Sequence, residues 1–184
     1  MAELLIRPEQ PADHDAVADV HRIAFGDHGR DVVVPLLADL RHSLDAEAGL
    51  SLVACEDDAV VGHVLFTRNL LDAPARLVDV QVLSPIAVRP DHQRRGIGAA
   101  LVEQGVAELA DRGVPAVFLE GDPGYYRRVG FVPGGEHGFR KPSLRIPDAA
   151  FQVRLLRAHE PWMTGTLVYR QAFWDHDAVG LRGP

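Results

Sequence analysis

Two short stretches carry the residue types that could do chemistry. In Gln93-Arg94-Arg95-Gly96-Ile97-Gly98, two arginines and two glycines separate an apolar, strand-like run ending at Val88 from the helical pattern opening at Ala99-Ala100-Leu101. A helix start leaves four backbone N–H groups without intrahelical partners, and the macrodipole adds about half a positive charge there. With the arginines, this segment reads as a cradle for a diphosphate. In Asp122-Pro123-Gly124-Tyr125-Tyr126, two phenols follow a strand-like run, Val117–Glu120, on what the pattern predicts to be a short helix. Asp122 suits its N-cap, Pro123 its first turn and Gly130 its C-terminal stop.

Three diphosphate cradles need separating. A P-loop would require Gly-Lys-Ser/Thr at its end, and none is present. A dinucleotide fold would place Gly-x-Gly-x-x-Gly after the first strand, whereas this loop lies mid-chain and lacks the third glycine. Gln93-Arg94-Arg95-Gly96-Ile97-Gly98 instead resembles the Gln/Arg-x-x-Gly-x-Gly/Ala pyrophosphate motif of the GCN5-related N-acetyltransferases (GNAT). The second stretch, Gly121-Asp122-Pro123-Gly124-Tyr125-Tyr126-Arg127-Arg128-Val129-Gly130-Phe131, resembles the helix after the family's fifth strand. Its wording is similar to that of the bacterial YhbS-like acetyltransferases. The two motifs are about 30 residues apart, the length of one helix plus one strand.

The resemblance implies a mixed α/β fold: a mostly antiparallel twisted sheet of about seven strands, splayed between strands four and five, flanked by about four helices. It covers residues 3–173 as a single domain, with 174–184 as a C-terminal tail. The patterning agrees. Strands are predicted at 4–7, 50–55, 59–67, 78–88, 116–120, 151–156 and 165–169, with helices at 13–25, 30–41 and 98–112. Asp57-Asp58 reads as a hairpin turn, Pro35 must lie in a first helical turn or kink its helix, and Pro85 predicts an irregular strand. Residues 133–147 read as a long loop.

The implied activity is transfer of the acetyl group of acetyl-CoA to a primary amine by direct attack, without a covalent enzyme intermediate. Carried over, the backbone of Ile86, Ala87 and Val88 holds the pantetheine arm. Gln93, Arg94, Arg95, Gly96, Ile97, Gly98 and Ala99 wrap the pyrophosphate. Tyr126 occupies the family's general-acid position and would protonate the departing thiolate; Tyr125 competes for that role, and a packing role is the alternative for either ring. A positioned donor contributes about 10²–10⁴-fold. For the base, Glu120 is the named candidate beside a structural turn role, with Asp122, Asp79 and a water chain as alternatives. A non-enzymatic acyl-CoA-binding sensor or partner module, a longer acyl group and an oxygen acceptor are the competing functions.

Composition narrows the partners. The chain has 184 residues and a formal charge of −7, with a pI near 5.7. These values argue against nucleic acid and mildly favour a cationic amine, on a small molecule or a protein. The one cysteine, Cys55, lies in an apolar run and reads as a small buried hydrophobe. No apolar run reaches membrane-spanning length, so a cytoplasmic protein with no membrane partner is expected. Nine histidines show no paired metal-ligand spacing, and no metal is expected. Asp175-His176-Asp177 reads as a solvated tail before a metal site, while His137, His159 and the 26–45 segment are candidates for lining the acceptor site. A homodimer is compatible with the resemblance, though no sequence patch specifies one.

Overall fold

The computed structural model describes residues 4–42, 44 and 49–182. Residue 3 of the expected domain, part of the 26–45 segment and positions 183–184 of the tail therefore lie outside the described residues. The fold is mixed α/β, its strands mostly antiparallel, with parallel pairing at two places. The chain divides into two units: residues up to Thr67 with Ser84–Ala107, and Arg68–Leu83 with the residues from Glu108 onward.

In the first unit, β1 (Leu4–Pro8) pairs antiparallel with β2 (Leu50–Glu56), which pairs antiparallel with the first part of β3 (Ala59–Asp72). Asp57 and Asp58 both take positive φ, 47° and 66°, as a tight hairpin turn between β2 and β3 requires. Residues 61–67 are buried without a break, because both faces of β3 are covered. Toward one face, Gly62 approaches Ile97 and Leu101 of α3 (Ile97–Asp111), and Gly105 of the same helix lies on the Phe66 ring. Toward the other, His63 meets His21 of α1 (His14–His28). Buried Leu36, Leu37 and Leu40 come from α2 (Val34–His42).

Pro35 falls in the first turn of α2, directly after the helical turn Gly29–Val33. The two predicted helices are joined by a wide helical turn, Gly29–Val33, and α1 is broken at Gly26. β4 (Leu77–Val88) keeps its strand through Pro85, whose bond to Ser84 is cis. A register shift also appears at Ala54/Cys55 in the β2–β3 pairing. Cys55 is buried, as expected, and its thiol is pushed up by that burial.

In the second unit, β5 (Ala116–Glu120) runs parallel to β4 at Gln81↔Val117 and Val82↔Phe118. It is paired along its whole length, antiparallel, with β8 (Phe151–Leu155). This two-residue pairing is the expected weak seam between strands four and five. The span read as a loop at 133–147 contains β7 (Phe139–Arg140), while β6 (Val132–Pro133) enters it; these raise the expected seven strands to nine among the described residues. Each is two residues long, too short for a periodic signal, and forms only because β8 and β9 (Gly165–Val168) offer it a partner. β9 also pairs with the far end of β3, at Leu70–Asp72. In this unit's core Phe118 stacks on Phe151 and meets Phe139 edge to face. The short α4 (Pro123–Tyr126) and α5 (Gln171–Asp175) complete the described helices.

Candidate active site

The 93–99 loop is built to leave donors free. After a 3-10 turn at Pro90–His92, Arg94 and Gly96 take φ of 61° and 84°. The first α3 backbone bond is Ala100 N–H to the Gly96 carbonyl, at 2.9 Å. The amides of Ile97, Gly98 and Ala99 therefore have no acceptor among the described residues. A Cβ on Gly96 would meet nothing within 4 Å, so the space beside this backbone is open. A bulky group there would be strained by φ and would occupy the approach to the amides.

Side chains brace the loop more than they line it. Gln93 Nε2 donates to the Val88 carbonyl at 2.9 Å, which stitches the loop to the end of β4. Arg95 donates to Glu56 Oε1 of β2 at 2.7 Å, and His92 lies 3.6 Å from the other oxygen. Arg94 is exposed and has no partner among the described residues. A cavity of about 410 Å³ adjoins these residues, lined in part by Glu56, Asp57, Arg89 and His92. Its mixed charge makes it a poorer phosphate site than the amides. Ala87 is buried, and Ile86 and Val88 are half-buried.

The second unit holds the tyrosines. Asp122 caps α4 by accepting from Gly124 N–H at 2.8 Å, and Gly130 follows as the left-handed stop, both as expected. Tyr125 and Tyr126 meet edge to face, and Tyr126 also meets Phe131. They differ in environment: Tyr125 is exposed and Tyr126 is half-buried. Burial, then Tyr125 and Asp122, push the Tyr126 phenol well above its usual value. It keeps its proton throughout the neutral range, and its hydroxyl has no hydrogen-bond partner among the described residues.

Glu120, at the end of β5, is engaged on both oxygens: Tyr169 O–H donates to Oε1 and Gly180 N–H to Oε2, each at 2.9 Å. Burial pushes its carboxyl up against the opposing effect of those two donors. Asp79 pairs with Arg68 at 2.8 Å. His159 bonds the Met163 carbonyl, and His137 is exposed. In the 26–45 segment, Arg30 pairs with Asp27 and Asp31, and His42 with the Ala38 carbonyl. No cluster of metal-ligating side chains occurs among the described residues. The tail is less solvated than expected: Asp177 pairs with Arg145 and Arg182, and Val179 is fully buried. Its register with β5 depends on a backbone N–H, which leaves no trace in residue type.

Beyond these geometries, a family sequence model described as an acetyltransferase (GNAT) domain matches residues 5–134. This chain belongs to the GNAT acetyltransferase family. It is 31% identical over 157 residues to the uncharacterized N-acetyltransferase YjhQ of Escherichia coli, covering 83% of this chain and 86% of that protein. The crystal structure of the GNAT N-acetyltransferase YhbS from Escherichia coli, in complex with CoA, is 29% identical. It superposes with a TM-score of 0.82 over 94% of this chain and 93% of that one. A GNAT acetyltransferase from Brucella melitensis, in complex with acetyl-CoA, is 31% identical, with a TM-score of 0.72 over 94% of this chain and 99% of its own. The GNAT relationship and the loop geometry agree in making this an acetyltransferase. No helix among the described residues is long and apolar enough to cross a membrane.

Sequence reading missed a buried polar cluster in the first unit. Glu9 accepts from Arg41 and from Ser51 O–H, the latter at 2.5 Å. Ser51 Oγ lies 2.9 Å from His63 Nε2, and His63 Nδ1 lies 2.8 Å from His21 Nε2. Because Ser51 spends its proton on Glu9, it accepts from His63 Nε2–H; His63 Nδ1 in turn accepts from His21 Nε2–H. Both imidazoles are neutral in this chain of bonds, and His21 Nδ1 ends it as a buried lone pair without a donor. The members are scattered from residue 9 to residue 63, with no motif spacing to announce them.

Proposed function

We propose that the protein transfers the acetyl group of acetyl-CoA directly to a primary amine, on a small molecule or a protein, with Tyr126 protonating the departing CoA thiolate. The observation that carries the cofactor assignment is the run of unpartnered amides at Ile97, Gly98 and Ala99 beside the open space at Gly96. Relatives of the same fold crystallised with CoA and acetyl-CoA support it. Arg94 supplies the mobile countercharge, while Gln93 and Arg95 hold the loop in shape. The backbone of Ile86, Ala87 and Val88 is assigned to the pantetheine arm. Acetyl-CoA brings an activated thioester; the protein's part is to orient it and keep a proton ready.

Tyr126 suits the acid role because its hydroxyl is protonated at neutral pH and committed to no other acceptor. The acid surface charge of −7 favours a cationic acceptor in the encounter, before it gives up a proton to attack. We place the protein in the cytoplasm, where acetyl-CoA is at hand, as one catalytic domain over residues 3–173.

Calorimetric titration with acetyl-CoA, desulfo-CoA and ATP tests the cradle. Micromolar affinity, about −8 kcal/mol, for the CoA compounds over ATP is the expected result. Thiol release with a panel of amines then tests transfer. Tyr126→Phe should lower kcat about 100-fold with little change in acetyl-CoA affinity. Binding without thiol release to any amine would instead favour an acyl-CoA sensor.

A further inference from the structure

Glu120 is a carboxylate largely shielded from water whose two oxygens each receive one donor. Tyr169, just past β9, is 7% exposed. Gly180 lies in the segment after α5. One side chain therefore ties the end of β5 to two later stretches of the second unit. The next residue, Gly121, is fixed as tightly. Its N–H donates to the Ala150 carbonyl at 3.0 Å, and its carbonyl accepts from Gln152 Nε2 at 3.1 Å. Gln152 sits on β8, 1% exposed.

Gly121 is also where the Tyr126 ring rests. A Cβ there would come within 2.8 Å of Tyr126 Cδ2 and closer still to Cε2. The ring edge lies against the bare Cα, with Phe131 and Tyr125 on other sides. The path from Glu120 to the phenol is one peptide unit and one van der Waals contact.

We propose that Glu120 is a positioning residue, whose carboxylate clamps Tyr169 and Gly180 to the end of β5 and so sets Gly121 and the ring of Tyr126. The kinetic part of this proposal rests on Tyr126 being the proton donor. A glutamate acting as general base makes the opposite demand on the same side chain. A base must take up a proton, whereas a clamp needs only an acceptor oxygen in the right place. Glutamine separates the two: its amide oxygen still accepts from Gly180 N–H, its NH2 can donate to the Tyr169 hydroxyl oxygen, and it cannot serve as a base.

The test compares Glu120→Ala, Glu120→Gln and Tyr169→Phe by kinetics and by the ¹³C–¹H signals of tyrosine-labelled protein. The three tyrosines are assigned with Tyr126→Phe and Tyr169→Phe. Glu120→Ala should lower kcat about tenfold with the acetyl-CoA KM within about twofold, as for a donor displaced by a fraction of an ångström. It should also move the Tyr126 ring signals. Glu120→Gln should restore most of the lost turnover and the native ring signals. Tyr169→Phe, which keeps the packing and removes one donor, should lower kcat about threefold and move the same signals less.

Equal loss in Glu120→Gln and Glu120→Ala, with the acidic limb of the kcat profile gone in both, would overturn the proposal in favour of a base. Unmoved Tyr126 signals in Glu120→Ala would overturn it as well. Should that variant fail to fold, Tyr169→Phe decides by the same signals. Full turnover in Tyr126→Phe would remove the acid assignment, while the ring signals would still decide the clamp.

Discussion

The 93–99 loop and the Glu9 cluster lie in the same unit and treat polar groups in opposite ways. At the loop, the amides of Ile97, Gly98 and Ala99 face open space with no internal acceptor. At the cluster, Glu9, Arg41, Ser51, His63 and His21 consume one another's donors, leaving one lone pair on His21. Unspent donors at a helix start are binding capacity, at little cost while water can reach them. Spent donors in the interior are scaffolding, because each one left unmade there costs about 1–3 kcal/mol. The difference separates what should alter affinity from what should alter stability.

The largest expected effect is on the scaffolding. Glu9→Ala strips Arg41 and Ser51 of their shared acceptor, and denaturant unfolding should show a loss of about 3–5 kcal/mol. Folded Glu9→Ala protein at low temperature should bind acetyl-CoA with unchanged affinity. A parallel fall in affinity would join the two regions that the comparison holds apart. The converse variant, Gly96→Glu, sets a bulky anion beside the free amides. It should weaken acetyl-CoA binding at least about 100-fold by calorimetry, close to 2.7 kcal/mol, and leave the unfolding midpoint near wild type.

Titration sharpens the contrast. Burial lowers His21, helped by His63, and lowers His63 against the opposing pull of Glu9. With folded values below the ordinary 6.5, the unfolded chain binds more protons once the pH drops below that point. Stability is then fully present above pH 6.5 and lost as pH falls below it. Glu9 adds a second, more acidic window. Burial opposes its charge, but His63, Arg41 and Ser51 prevail and hold it at about 2, so its contribution goes as pH falls from about 4.5. Thermal unfolding at pH 7.5 and 5.0 should show the first loss in the wild type and a smaller one in His21→Leu. Equal slopes in the two proteins would count against the neutral pair.

The smallest effect distinguishes the two loop arginines. Arg94 has no partner among the described residues, whereas Arg95 is held by Glu56. Arg94→Ala should cost about tenfold in acetyl-CoA affinity at low salt, shrinking as salt screens the exposed charge, and Arg95→Ala about threefold. The reverse order would show that Arg95 leaves Glu56 when the diphosphate arrives.

Legibility followed how local each feature is. The loop, the Asp122 cap, the Gly130 stop and the Asp57-Asp58 turn depend on neighbours within a few residues, and residue types report them directly. β6 and β7 depend on strands far along the chain and left no pattern at two residues each. Pro85 signalled an irregularity in β4, and the Ser84–Pro85 bond is cis, while the register shift at Ala54/Cys55 falls without any breaker residue. Glu120 was visible as a carboxylate at a strand end; its partners, Tyr169 and a backbone N–H at Gly180, were not.

By itself, the sequence determined the family, the 93–99 loop and the short tyrosine-bearing helix, since each is written in contiguous residues whose backbone preferences are local. Tertiary structure alone decided which polar groups were used up. Glu9 and His63 are 54 residues apart in one cluster, and Glu120 and Gly180 are 60 apart in one hydrogen bond. Burial and partnership are properties of packed neighbours, and packing is what turns Gln93 and Arg95 into braces while Arg94 and the Tyr126 hydroxyl stay free.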